Sequence, residues 1–173
     1  MRPNWDEYFM LIAKIASMRS NCLSKNFGAV IVDSDRRILS VGYNGSPSGS
    51  MQCSSLGYCF KRSNGGKEGN WDNCLAVHAE QNALLSAARK GISVKGATVY
   101  VQSTPCWTCL KMLQAAGIKN YVFENIYMGS SCLLRDEINN LVRHGSLRFI
   151  KISNEILIEA QNSLKLSGDR LIS

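Results

Sequence analysis

Two short clusters constrain this chain more than any other feature: His78-Ala79-Glu80, and further on Pro105-Cys106-Trp107-Thr108-Cys109. One imidazole and two thiolates are three donors for a tetrahedral Zn²⁺, which leaves a fourth position for water. A carboxylate two residues from the imidazole is placed to move that water's protons. Residues two apart on a helix lie about 200° apart and do not share a face. His78 and Glu80 therefore serve one metal only if it sits beyond the N-terminal end of their helix. Cys106 and Cys109 share a face, and Pro105 suits a helix start. Both donor pairs then lie at positive helix ends, which favours thiolate over thiol.

Bulk properties narrow the setting. A chain of 173 residues, 45% hydrophobic and 19% charged, predicts a single soluble domain over 1–173. There is no run of eighteen apolar residues, and no basic stretch followed by an apolar core opens the chain. The expected location is cytoplasmic, with no membrane partner. Seven cysteines in that compartment are not a disulfide framework. A net charge of +7 suits an anionic ligand, a nucleotide or a nucleic acid, but the cations are scattered and form no basic block.

Periodicity supplies the elements. A helix is predicted over 5–20, with Trp5, Tyr8, Phe9, Ile12, Ile15 and Ala16 as its apolar stripe and Asn4 and Glu7 as a capping pair. Strands over 27–32 and 38–41 form a hairpin around Ser34-Asp35. A helix over 76–89 carries Glu80, a strand over 97–102 leads to the cysteines, and their helix continues to Gly117. A strand over 119–124, a helix over 133–143 and a strand over 147–152 follow, with a tail from about 153 that is helical to about 165. This order implies a mixed sheet with helices on both faces.

The segment from about 43 to 75 is too long for an ordinary connection and is rich in Gly, Ser, Asn and Cys. It carries Cys53, Cys59 and Cys74, and Cys22 follows the first helix. Four thiolates make a closed structural zinc site, which would order a loop without its own core. Two zinc ions per chain are therefore expected.

Several stretches resemble the deoxycytidylate (dCMP) deaminase branch of the cytidine deaminase superfamily. They are Trp5 to Met10, Gly28 to Val32, Gly42-Tyr43-Asn44-Gly45-Ser46-Pro47-Ser48-Gly49, His78 to Ala83, Gly96 to Val101, Pro105-Cys106 with Cys109, and Ala116 to Lys119. The H-x-E and P-C-x-x-C pieces are the pattern of zinc-dependent nucleobase deaminases at large. The stretches around Gly42 and His78 are more specific to the dCMP branch. The resemblance implies a three-layer α/β/α cytidine deaminase-like fold with a central mixed five-stranded sheet. It also implies hydrolysis of dCMP to dUMP and ammonia in pyrimidine deoxynucleotide metabolism, with Glu80 as acid and base. Substrate contacts then fall on Asn44, Lys25, Ala79, Ser103, Thr104 and Tyr127, and effector contacts on Gly45 and Arg89. Lys25 takes the 5′-phosphate, with Arg19 in reserve. A homo-oligomer, a hexamer, regulated by dCTP with Mg²⁺ and by dTTP, also follows from the resemblance.

Three other readings compete. A free nucleoside or a riboflavin precursor could be the substrate. A nucleic-acid editing deaminase would bind oligonucleotides with steep salt dependence, although nucleic acid is not the expected partner. A non-catalytic zinc protein would want a fourth protein donor, which the first cluster lacks.

Overall fold

A computed structural model describes residues 2–65, 74–126, 132–150, 152, 155, 156, 158–160 and 162 of the chain. β1 (Gly28–Val32) is buried along its whole length, and its alternating side chains divide the core in two. Ala29 and Ile31 point into one apolar cluster, Val30 and Val32 into the other. β1 pairs antiparallel with β2 (Ile38–Tyr43) on one side and with β3 (Thr98–Ser103) on the other. β3 pairs parallel with β4 (Asn120–Asn125), and β4 with β5 (Leu147–Phe149), giving one five-stranded mixed sheet in the order β2-β1-β3-β4-β5.

Helix α1 (Trp5–Ser17) covers the Val30 face together with Ile152 and Ile156 of the C-terminal segment. The opposite face is covered by α4 (Ala79–Arg89) and α5 (Trp107–Ala115), with Ile138 and Leu141 of α6 (Cys132–Arg143) packed against them. Two four-residue helices, α2 (Cys53–Leu56) and α3 (Phe60–Ser63), lie in the long connection between β2 and α4. This is the expected three-layer α/β/α arrangement. No helix among the described residues is long and apolar enough to cross a membrane.

The capping pair is present: Asn4 Oδ1 accepts from the Glu7 amide at 3.0 Å, and Glu7 Oε2 accepts from the Asn4 amide at 2.8 Å. The buried stripe of α1 differs from the expected one. Phe9, Met10, Ala13 and Ser17 face the sheet, whereas Ile15 is 54% exposed. The cause is backbone approach at one crossing: a Cβ on Gly28 would lie 1.9 Å from the Ala13 carbonyl oxygen, so α1 presents the small Ala13 and Ser17 there. Asp6 then staples three elements, accepting from Tyr100 Oη of β3 at 2.9 Å and pairing with Arg148 of β5 at 3.2 Å.

Other differences are local. β2 extends to Tyr43 because its pairing with β1 runs to Gly28↔Tyr43. β5 stops at Phe149, although the Ile150 amide still donates to the Phe123 carbonyl at 2.8 Å. The helical residues described in the tail run from 155 to 162. The four-residue helices were not anticipated, since each is too short to show a period.

α4 begins at Ala79 and not at 76, because Val77 is taken by a bridge to Gly45, with N–H···O distances of 2.9 and 3.1 Å. Its first turns lie directly on β2. A Cβ on Gly42 would come within 2.3 Å of both the Ala79 carbonyl oxygen and the Ala83 nitrogen. Ser40 Oγ donates to the Ala83 carbonyl at 2.9 Å. Replacing Gly42 with Ala must push the α4 backbone away, and overpacking of this kind costs about 1–3 kcal/mol. The expected result is a lower denaturation midpoint, read by urea titration, together with weaker zinc retention.

Candidate metal centre and active site

His78 is the N-cap of α4 and Cys106 the N-cap of α5, both with extended backbones (φ −70°, ψ 157° and φ −67°, ψ 164°). An N-cap side chain stands over the end of its helix. His78 can therefore approach the same point as Glu80, two residues on, as the spacing argument requires. The His78 amide donates to Gln81 Oε1 at 3.0 Å, and the Gln81 amide nitrogen reaches Met112 Sδ at 3.6 Å, linking the start of α4 to α5.

His78 Nδ1 lies 3.6 Å from Cys106 Sγ and 3.4 Å from Cys109 Sγ. All three donor atoms lie within 4.8 Å of one another, the sole group of three or more metal-donor residues so gathered among the described residues. A tetrahedral zinc with ordinary Zn–N and Zn–S bonds requires an N···S edge of about 3.6 Å. The donor set fits zinc in both chemistry and spacing. Cys109 is fully buried and Cys106 nearly so.

The electrostatics of the site reflect crowding. A hydrogen bond from Cys109, aided by His78, outweighs burial and lowers the Cys106 thiol to about 4. The same contact raises Cys109, and burial and the nearby Glu80 charge add to that rise. Burial opposes a charged His78, but the Cys106 thiolate and the Glu80 carboxylate raise it overall. Glu80, 6% exposed, is raised mainly by burial, and the His78 charge only partly offsets this. Its carboxyl contacts Cys109 and its own backbone amide.

His78, Glu80 and Cys106 line a cavity of about 200 Å³. Of the expected substrate contacts, Lys25, Asn44, Ala79, Ser103 and Thr104 all line it. Tyr127 lies outside the described residues. Gly45 is adjacent, held in its bridge to Val77. Arg89 is the last residue of α4 and does not line the cavity. At about 1.5 Å per residue, its helix carries it some 15 Å from the metal donors. Arg19 is absent from the lining as well.

Asn44 also ties other residues of the lining together. Its Oδ1 accepts from the Phe27 amide and its Nδ2 donates to the Lys25 carbonyl, both at 2.8 Å. Gln102 continues this tie from below. Its Oε1 accepts from the Gly28 amide at 2.6 Å, and its Nε2 donates to Ser17 Oγ at 3.1 Å. The Asn125 side chain donates to the Gln102 carbonyl at 3.0 Å, and the Asn125 carbonyl accepts from the Thr104 amide at 2.9 Å. The loop leading to Cys106 is thereby registered against the start of β1. Gln102 and Asn125 escape a sequence reading because their role depends on cross-strand neighbours.

Lys61 and Arg62 of α3 also line the cavity and were not anticipated. Their adjacency in a cysteine-containing loop was the available signal. Cys22, Cys59 and Cys74 reach the same cavity, and Cys53 is buried. Burial raises the Cys74 thiol, with the charges of Cys22 and Cys53 adding to it. No three of these four thiols are gathered within 4.8 Å.

One imidazole, two thiols and a buried carboxylate at two converging helix ends define a zinc-dependent hydrolytic centre. Residues 3–125 match the family described as the cytidine and deoxycytidylate deaminase zinc-binding region. The deoxycytidylate deaminase of Mycobacterium phage D29 is 44% identical over 128 residues, covering 70% of this chain and 95% of that protein. The deoxycytidylate deaminase of Schizosaccharomyces pombe is 41% identical over 128 residues, covering 73% of this chain but 38% of that longer protein. Among solved structures, the dCMP deaminase of cyanophage S-TIM5, crystallised with dCMP and dUMP, superposes with a TM-score of 0.66 at 30% identity. That match covers 87% of this chain and 99% of the cyanophage one. The chain belongs to the cytidine and deoxycytidylate deaminase family, and one zinc is the metal its His/Cys/Cys site holds.

Zinc takes thiolates and a neutral imidazole, so its uptake releases any proton held by Cys109 or His78. Because the folded protein raises His78, affinity is expected to strengthen as pH rises through the histidine range. Calorimetric titration of zinc into the apoprotein, in buffers of different ionisation enthalpy, checks this.

Proposed function

We propose that this chain hydrolyses dCMP to dUMP and ammonia. The observation that carries the reading is the buried Glu80 carboxyl, in contact with Cys109 beside three zinc donors at the end of an open cavity. The phage D29 and cyanophage relatives, matched over nearly their whole lengths, support the choice of dCMP.

Zinc, when bound by His78 Nδ1, Cys106 Sγ and Cys109 Sγ, supplies Lewis-acid activation of the attacking water. Two thiolates cancel the charge of the ion, so the chain must contribute the base itself. Glu80 takes a proton from the water as its oxygen attacks C4 and delivers it to ring N3. Glu80 then carries the second proton to the departing amine, so water and dCMP become dUMP and ammonia. Burial raises the Glu80 carboxyl toward working pH, which suits a group that must both accept and donate. The backbone of Ala79 and the Ser103-Thr104 turn face the base edge, Asn44 approaches the sugar and base, and Lys25 meets the 5′-phosphate, with Tyr127 as a further substrate contact implied by the resemblance.

We extend the reading to the rest of the molecule. Residues 1–173 form one cytoplasmic deaminase domain serving pyrimidine deoxynucleotide metabolism. A second zinc binds Cys22, Cys53, Cys59 and Cys74, and the presence of Cys22, Cys59 and Cys74 in the lining of one cavity supports that grouping. The assembly is a hexamer regulated by dCTP with Mg²⁺ and by dTTP, with Gly45 and Arg89 as effector contacts.

Product analysis on dCMP, beside cytidine, dCTP and a cytosine-containing oligonucleotide, tests the substrate. Conversion of dCMP well ahead of the others is expected, and preference for the oligonucleotide would replace this reading with nucleic-acid editing. Glu80→Gln should keep zinc and fold while ammonia release drops about 10²–10⁴-fold. Zinc analysis of the purified protein should give two ions per chain, and one after Cys59→Ser. A parent protein holding a single zinc rules out the second site.

A further inference from the structure

We infer that Arg62, with Lys61 beside it on α3, is the anion-selecting wall of the cavity and holds the phosphomonoester end of the substrate. This rests on the deaminase reading above and deepens it, because it names what chooses a nucleotide over a nucleoside.

Among the described residues the cavity lining carries one carboxylate, Glu80, and three cations, Lys25, Lys61 and Arg62. A ligand whose base reaches Glu80 therefore finds the other fixed charges of the lining positive.

The two α3 cations are placed differently. Lys61 is half-buried and close enough that its charge favours proton loss from both His78 and Cys74. Arg62 is exposed, and its Nη2 donates to Ser24 Oγ at 2.9 Å. That bond carries a guanidinium from the long connection onto the 22–25 loop, next to Lys25. One nitrogen is spent on a neutral hydroxyl, and the planar fork keeps further N–H donors for two oxygens of a phosphate. Hydrogen bonds between a guanidinium and a phosphate are among the stronger polar contacts. Lys25 offers only a point charge on a flexible stem, so the larger share of discrimination falls to Arg62.

The test compares kcat/KM on dCMP and on deoxycytidine for the parent, Arg62→Ala, Arg62→Lys and Lys25→Ala, together with calorimetric affinity for dUMP and for deoxyuridine. Losing hydrogen bonds to a charged group should cost Arg62→Ala about 10–150-fold on dCMP relative to deoxycytidine, expressed in KM. Arg62→Lys should recover part of the loss, and Lys25→Ala should lose less than Arg62→Ala. Binding of dUMP should weaken in the same order while zinc content holds. A parallel fall on both substrates would reduce Arg62 to a latch for Ser24 and overturn the proposal. A parent with no preference for dCMP over deoxycytidine would overturn it too, along with the choice of a nucleotide substrate, while leaving zinc-dependent deamination of cytosine compounds intact. If no cytosine compound released ammonia, the deaminase reading would fail, and the dUMP affinities would still decide the role of Arg62.

Discussion

The convergence of two helix N-termini is the constraint on which the rest of this structure depends. α4 and α5 each begin with a metal donor in extended conformation just outside the helix, and each adds a working side chain in its first turn, Glu80 and Cys109. Helix N-termini favour negative charge, so a thiolate and a carboxylate are tolerated where burial alone would protonate both. The sheet makes the convergence possible. Gly42 lets α4 lie against β2, and the ties around Gln102 hold the loop that enters α5. Metal geometry is therefore tied to backbone packing, which sets N···S distances of 3.4 and 3.6 Å.

The same packing shapes the cavity. Its chemical groups Glu80 and Cys106 are buried, which strengthens electrostatic effects on them. The 22–25 segment and α3 add the cations of the lining. Chemistry resides on elements that the core fixes, and recognition on the connection that varies most readily. Such a division allows one deaminase scaffold to change substrate without disturbing proton transfer.

Much of this was legible in the residues themselves. His78, Glu80, Cys106 and Cys109 were readable because tetrahedral zinc chemistry restricts both donor type and spacing, and each pair opens a periodic helix. A mixed sheet covered on both faces followed from the order of helix, hairpin and repeated helix-strand units, whereas the strand order depends on long-range pairing and was not read from the residues. The buried face of α1 was misjudged because close approach at Gly28 selected Ala13 over the larger Ile15. The start of α4 was misplaced because the bridge between Gly45 and Val77 is a long-range pairing with no local signature. Lys61 and Arg62 were missed for a related reason: a four-residue helix has no period, and only the folded chain shows which cations of a loop turn inward.

Zinc-edge anomalous diffraction from crystals of the holoprotein tests the central claim most directly. The account predicts a zinc peak about 2.0–2.1 Å from His78 Nδ1 and about 2.3 Å from the Sγ atoms of Cys106 and Cys109. No fourth protein ligand should be bound there, and the Glu80 carboxyl should face the remaining position. A zinc held through His78 Nε2, a fourth side chain closing the site, or no zinc between these helix ends would contradict it.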